Sequence, residues 1–148
     1  MVWAHNGHVA NELSTFTNMG SHLRTRWKKD YVNVGFVFGE GSFQALDFRR
    51  QDHRLGEITL GAAPAYHASA AFTSTGKPVL ALDLRALPAR GVVHDWFAAP
   101  HPVRDTGAAF SSERNMTITQ RLPRLYDAVI VVARTTGARP LTSPAKQR

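Results

Sequence analysis

Three side chains are best suited to chemistry: two imidazoles three positions apart, His5 and His8, and one carboxylate further along, Glu40. Histidine titrates near neutral pH, so either ring can pass a proton to or from water or a leaving group. Glu40 can orient an imidazole or raise its basicity by hydrogen bonding. The same trio can instead hold a metal, because a histidine pair plus a carboxylate is a known ligand set. Spacing alone does not decide between these uses. The His-x-x-His pattern lacks the helical frame and adjacent glutamate of a metalloprotease motif. Taken singly, a histidine behind a strand is often just a loop residue, and a Gly-Glu-Gly just a turn. Their coincidence at one place is what favours function, so the elements that position them come next.

Val2 to Ala4 forms a very short apolar run that stops at His5 and predicts a first strand. A polar loop follows, from Asn6 to about Asn18. Met19, Leu23 and Trp27 then recur at helical spacing with basic residues between them, which predicts an amphipathic helix. Asn18 or Ser14 can cap its start, and Lys28 and Lys29 suit its negative end. His22 sits on this helix as a surface residue. Tyr31 to Phe38 is continuously apolar and β-branched, which predicts a strand buried on both faces and ended by Gly39-Glu40-Gly41. Strand, helix and strand together make a βαβ unit with parallel strands and a right-handed crossover. Parallel strands end on one edge of the sheet, so His5, His8 and Glu40 are expected together where open α/β sheets place their ligands. Gly7, Gly39 and Gly41 allow tight turns beside them. Asn6, Gly39 and Ser42 are the expected substrate contacts.

Beyond Gly41 the pattern weakens. Ser42 to Phe48 and Glu57 to Leu60 read as strands, with a polar turn from Gln51 to Gly56 between them. Ala68 to Phe72 reads as a short helix ending near Gly76, Val79 to Leu84 as a strand, and His94 to Ala98 as a helical turn. Tyr126 to Ala133 is another continuous apolar strand. The expected fold is α/β: a partial three-layer arrangement around a mostly parallel sheet, opened by the βαβ unit, with additional strands and short helices. One domain is expected over residues 1–141, and a basic, disordered tail over 142–148. His53, His67, His94 and His101 show no partner in the sequence and receive no role.

Composition bounds the function classes. Apolar residues make up 43% and charged residues 20% of the 148, a globular balance and not a disordered one. No apolar run is long enough to cross a bilayer, and the first residues do not form a signal peptide. Cysteine is absent, which removes disulfides, thiolate nucleophiles and zinc–thiolate sites together. A cytoplasmic protein without membrane contact is the simplest expectation. The formal charge is +7, but the basic residues are scattered and not interleaved with aromatics for stacking on bases. A solvated surface accounts for them better than a nucleic-acid interface.

At the site residues the sequence becomes recognisable. Trp3-Ala4-His5-Asn6-Gly7-His8-Val9, then Met19-Gly20-Ser21-His22-Leu23, then Gly35 through Phe43 resemble the erythromycin esterase family in order and spacing. Tyr126-Asp127-Ala128-Val129-Ile130, with Arg134 through Leu141, resembles that family's closing motif, and Arg104-Asp105-Thr106-Gly107-Ala108 is a looser match. The resemblance implies a hydrolase that opens macrolide lactones by attack of water on the ester carbonyl, without cofactor or metal. His5 and His8 match the family's C-terminal pair of active-site histidines and would bind or polarise the substrate or the water. Glu40 matches a motif position whose role is less defined. Family members are much longer, and the histidine that activates the water lies in their N-terminal part. The chain is therefore expected to be a C-terminal portion, acting on a small ester or lactone once a missing N-terminal segment completes it. Two other classes stay open: a metal-binding hydrolase or module using His5, His8 and Glu40, and an inactive fragment or binding module with an exposed sheet edge.

Overall fold

The computed structural model describes residues 1–12 and 16–139. The alternative cap Ser14, the end of the closing motif at Pro140-Leu141 and the expected tail all lie outside the described residues.

Two helices open the chain, α1 (Asn6–Val9) and α2 (Met19–Trp27). The second has the predicted bounds. Asn18 caps it by accepting the Ser21 N–H at 2.8 Å, while the Ser21 hydroxyl receives the Asn18 N–H at 3.0 Å. Next come β1 (Val34–Asp47), β2 (Leu55–Leu60), α3 (Ala68–Thr73), β3 (Val79–Asp83) and α4 (Val92–Ala98). The last part holds β4 (His101–Arg104), β5 (Ala109–Phe110), β6 (Thr117–Gln120), α5 (Leu122–Leu125) and β7 (Ala128–Thr135).

The main sheet has the order β2-β1-β7-β3, with β5 added beside the end of β1, and β4 and β6 form a separate pair. It is mixed, which corrects the expectation of a mostly parallel sheet. β1 runs parallel to β7 and β5, but β1–β2, β3–β7 and β4–β6 are antiparallel. The cause is connection length. A short turn joins β1 to β2, and a short link can only reverse a strand, whereas a parallel partner needs a long crossover. The parallel partner of β1 therefore comes from the far end of the chain, as β7.

Two further expectations change with it. Val2 to Ala4 is not a strand, so the chain does not begin with a βαβ unit. The Asn6 side chain occupies the edge that such a strand would need: its Nδ2 donates to the Phe36 carbonyl at 2.6 Å, and the Phe36 N–H donates to its Oδ1 at 2.9 Å. Nor does β1 stop at Gly39-Glu40-Gly41; it runs straight through. Those glycines serve close strand packing, since a Cβ at Gly41 (φ +116°) would meet the Thr135 carbonyl oxygen at 2.1 Å.

The larger core cluster lies on one side of the sheet. Val37, Val129 and Val131 pack with Phe72 of α3, Leu84 and Leu125. A second cluster joins Phe38, Ala45, Ile58, Phe110 and Met116 around the β1–β2 hairpin. The other face of β1 is open: Val34 is 39% and Phe36 41% exposed, where burial on both faces was expected. Among the described residues no layer covers them.

A polar knot fixes the N-terminal helices onto the sheet. Buried Asn33 donates through Nδ2 to the carbonyls of Val9 and Leu125, and its backbone N–H reaches the Asp127 carboxylate at 2.9 Å. Arg24 of α2 closes the knot with a 2.5 Å contact to the same carboxylate. These bonds set where α1, and so His5, sits against β1. No helix among the described residues is long and apolar enough to cross a membrane.

Candidate active site

His5 is the residue on which α1 starts, and its ring is held at both nitrogens. Nδ1 accepts the Gly7 N–H at 3.2 Å, and Nε2 lies 2.5 Å from the Thr106 carbonyl oxygen. A carbonyl can only accept, so the neutral ring carries its proton on Nε2. Asp105 Oδ1 stands 3.5 Å from the same nitrogen. His8, one helical turn on, presents its ring edge-on to His5 with centroids 6.3 Å apart and is exposed to solvent. Asn18 binds the α1 turn to α2 by donating to the Gly7 carbonyl at 2.6 Å. Backbone contact between the two helices is close, because a Cβ on Gly20 would meet the Ala10 carbonyl oxygen at 2.2 Å.

Beside this turn opens a cavity of about 970 Å3, whose walls include His5, Asn6, Phe36, Phe38, Arg104 and Thr106. Its size falls at the upper end of the range for small-molecule sites, and an apolar wall with a few convergent polar groups is their usual make-up. His8 and Glu40 are not among its lining residues.

The structure brings together the two histidines but does not join Glu40 to them. Glu40 pairs with Arg134, its neighbour in register on β7, at 2.5 Å. Among the described residues it makes no hydrogen bond or ion pair with either imidazole. Of the expected substrate contacts, Asn6 lies in the cavity wall, with its amide spent on Phe36. The Gly39 carbonyl accepts from Arg104, and the Ser42 hydroxyl shares a hydrogen bond with that of Thr59 at 3.0 Å. No group of three His, Asp or Glu side chains gathers into a metal-ligating cluster among the described residues. The metal reading of the trio thus has no preformed site.

Sequence reasoning missed the segment against which the His5 ring rests, Arg104-Asp105-Thr106. It starts on the last residue of β4, a four-residue strand containing Pro102, too short and irregular to show a period. Arg104 is 2% exposed, donates to Glu113 and to the carbonyls of Gly39 and Gly61, and lies over the Phe38 ring. Asp105 is the more unusual residue. Its Oδ1 is buried without a hydrogen bond, and burial pushes its carboxyl above the usual range while the nearby His5 pulls it back down. The Tyr126 phenol is also pushed up, by burial first and by the Asp105 charge second. The one available signal was the looser motif match at Arg104-Asp105-Thr106.

Elsewhere His67 is buried, with Nδ1 unpaired, and burial followed by the Arg104 charge lowers its pKa. His53 stacks on Phe48, His94 bonds Asp95, and His101 stacks on Trp96 and bonds its carbonyl.

The fold recurs in larger proteins. A protein from Bacillus cereus matches with TM-score 0.79 and 24% identity over 90% of this chain and 33% of its own. A succinoglycan biosynthesis protein matches with TM-score 0.77 and 21% identity, over 92% of this chain and 33% of that one. A mutant of the erythromycin esterase EreC in its open conformation matches with TM-score 0.52 and 15% identity, over 86% of this chain and 30% of that one. This chain thus spans about a third of the length of the solved structures it matches. At such identities the likeness shows the fold alone. No curated protein sequence matches. The family model for erythromycin esterase, however, matches residues 1–135, so nearly every element above, the His5–His8 turn and the Arg104–Thr106 segment included, falls inside it. The chain belongs to the erythromycin esterase family.

Proposed function

We propose that this chain supplies the C-terminal, histidine-bearing part of an erythromycin esterase-type carboxylic ester hydrolase that opens macrolide lactones by attack of water on the ester carbonyl. The observation that carries the reading is His5 in the wall of a cavity of about 970 Å3, within a chain that the family model matches over residues 1–135. In this role His5 and His8 bind or polarise the ester carbonyl or the attacking water, and the apolar walls take the body of the substrate. The group that activates the water comes from the remaining part of the fold, as the family resemblance implies. Absence of cysteine suits a reducing cytoplasm.

The test is hydrolysis of erythromycin followed by mass spectrometry as gain of one water. The purified chain alone is expected to give little or no turnover. Mixed with a polypeptide carrying the remaining two-thirds of a family member, it is expected to give turnover that His5→Ala abolishes. Turnover by the isolated chain, lost on His5→Ala, would show that the site is complete here. Turnover in the mixture that survives His5→Ala would remove His5 from the mechanism.

A further inference from the structure

We propose that Asp105 is a charge partner for His5: a half-buried carboxylate that balances the charge of the ring in the cavity wall when it takes a proton. The inference rests on the reading of His5 as a group that binds or polarises the substrate or the water.

The Asp105 backbone N–H is satisfied by the Met116 carbonyl at 2.7 Å, so the residue needs no side chain to hold its place. Its Oδ1 is buried and accepts no hydrogen bond, although a buried unsatisfied oxygen costs free energy. Neighbouring cations do not neutralise it: the Arg104 guanidinium turns to Glu113 and to two carbonyls. Tyr126, the other titratable group that senses it, is neutral at ordinary pH and brings no positive charge. Among the described residues the imidazole within reach is that of His5, with Nε2 3.5 Å from Oδ1. Gly7 leaves the approach open, since even a Cβ there would stay 3.9 Å from Oδ2.

In the neutral state Nε2–H is given to the Thr106 carbonyl, and Nδ1 holds the lone pair. A proton taken up by the ring goes to Nδ1, at the cost of the 3.2 Å bond from Gly7 N–H. Nε2 keeps its proton, so the ring becomes a cation. Asp105 stays a carboxylate and forms or breaks no bond. Its charge offsets the new one across 3.5 Å in a partly buried setting, where such a pair is little screened.

Two measurements on the chain itself test this, and neither needs esterase activity. The first is the carboxylate titration of Asp105 by carbon NMR in the wild type and in His5→Asn. The midpoint is expected to move upward in His5→Asn, because the cation that pulls it down is gone; an unmoved midpoint would overturn the pairing. The second is the thermal midpoint of Asp105→Asn. A carboxylate kept for a neighbour's charge is a liability to the fold at neutral pH, so this variant is expected to melt higher there and to lose the gain in acid. A lower midpoint at neutral pH would mark Asp105 as a structural anchor. Should the lactone assay fail while the titration shift appears, the pairing stands and only the substrate reading falls.

Discussion

Replacing Arg104 with methionine keeps a long, flexible side chain but removes the guanidinium that ties β4 to the β1–β2 hairpin. Deleting one partner of a buried ion pair costs about 3–5 kcal/mol when the other charge is stranded. Here Glu113 keeps 37% of its side chain exposed, so water takes over much of its solvation and the ion pair is a minor part. The larger loss is at the Gly39 carbonyl, a buried acceptor on β1 that then has no charged donor, worth about 2 kcal/mol. The Gly61 carbonyl is more open and adds about 0.5–1 kcal/mol. Loss of the cation over the Phe38 ring adds about 0.5 kcal/mol. The expected total is about 3 kcal/mol, which for a chain of this length lowers the thermal midpoint by roughly 6–12 °C. Urea unfolding reads it as a lower midpoint concentration with unchanged slope. Glu113→Gln is the control, expected to cost about 1 kcal/mol. A cost below about 1 kcal/mol for Arg104→Met would refute the reasoning. So would a Glu113→Gln penalty as large as that of Arg104→Met, since the ion pair and not the carbonyls would then dominate.

Asn6→Ala removes two hydrogen bonds to Phe36 and is expected to destabilise by about 2 kcal/mol, with hydrogen exchange at the Phe36 amide accelerated; unchanged protection there would show that the edge is held otherwise. Gly35→Ala would place a Cβ 2.6 Å from the Tyr126 ring, so a loss of roughly 1–3 kcal/mol is expected in urea unfolding, and a neutral result would mean that the ring yields freely. For His67, burial lowers the folded-state pKa below its reference value of 6.5, so the unfolded chain takes the proton first as pH falls. Stability from this residue is therefore full above about pH 6.5 and declines in more acid solution, and His67→Gln should flatten that acid arm of the stability profile; an unaltered arm would assign the loss to other groups.

The helical spacing of Met19, Leu23 and Trp27 was legible because a period survives even where burial is incomplete: Trp27 is 54% exposed and Leu23 and Trp27 border the cavity. The β1–β2 hairpin, α3, β3, α4 and the core of β7 were legible for the same reason, as periodic or continuous apolar segments between turn residues. Sheet direction was not. Which strand lies beside β1 depends on contacts between residues nearly a hundred positions apart, such as Phe36 with Ile130, and local pattern carries no trace of them. Gly39 and Gly41 misled in a physical way, because a glycine that lets two backbones approach looks the same in sequence as one that ends a strand. The histidine pair was legible as a constellation, whereas Asp105 was hidden: a carboxylate in a loop reads as solvated until the fold buries one of its oxygens.

The proposal puts His5 in the wall of the cavity where a macrocyclic ester binds. Ring resonances of the histidines, followed by NMR while erythromycin is titrated into the chain, test it most directly. Saturable shifts at His5, with His53 and His94 unmoved, are the predicted result. Shifts at the remote histidines alone, or none at any ring up to the solubility of the ligand, would contradict it.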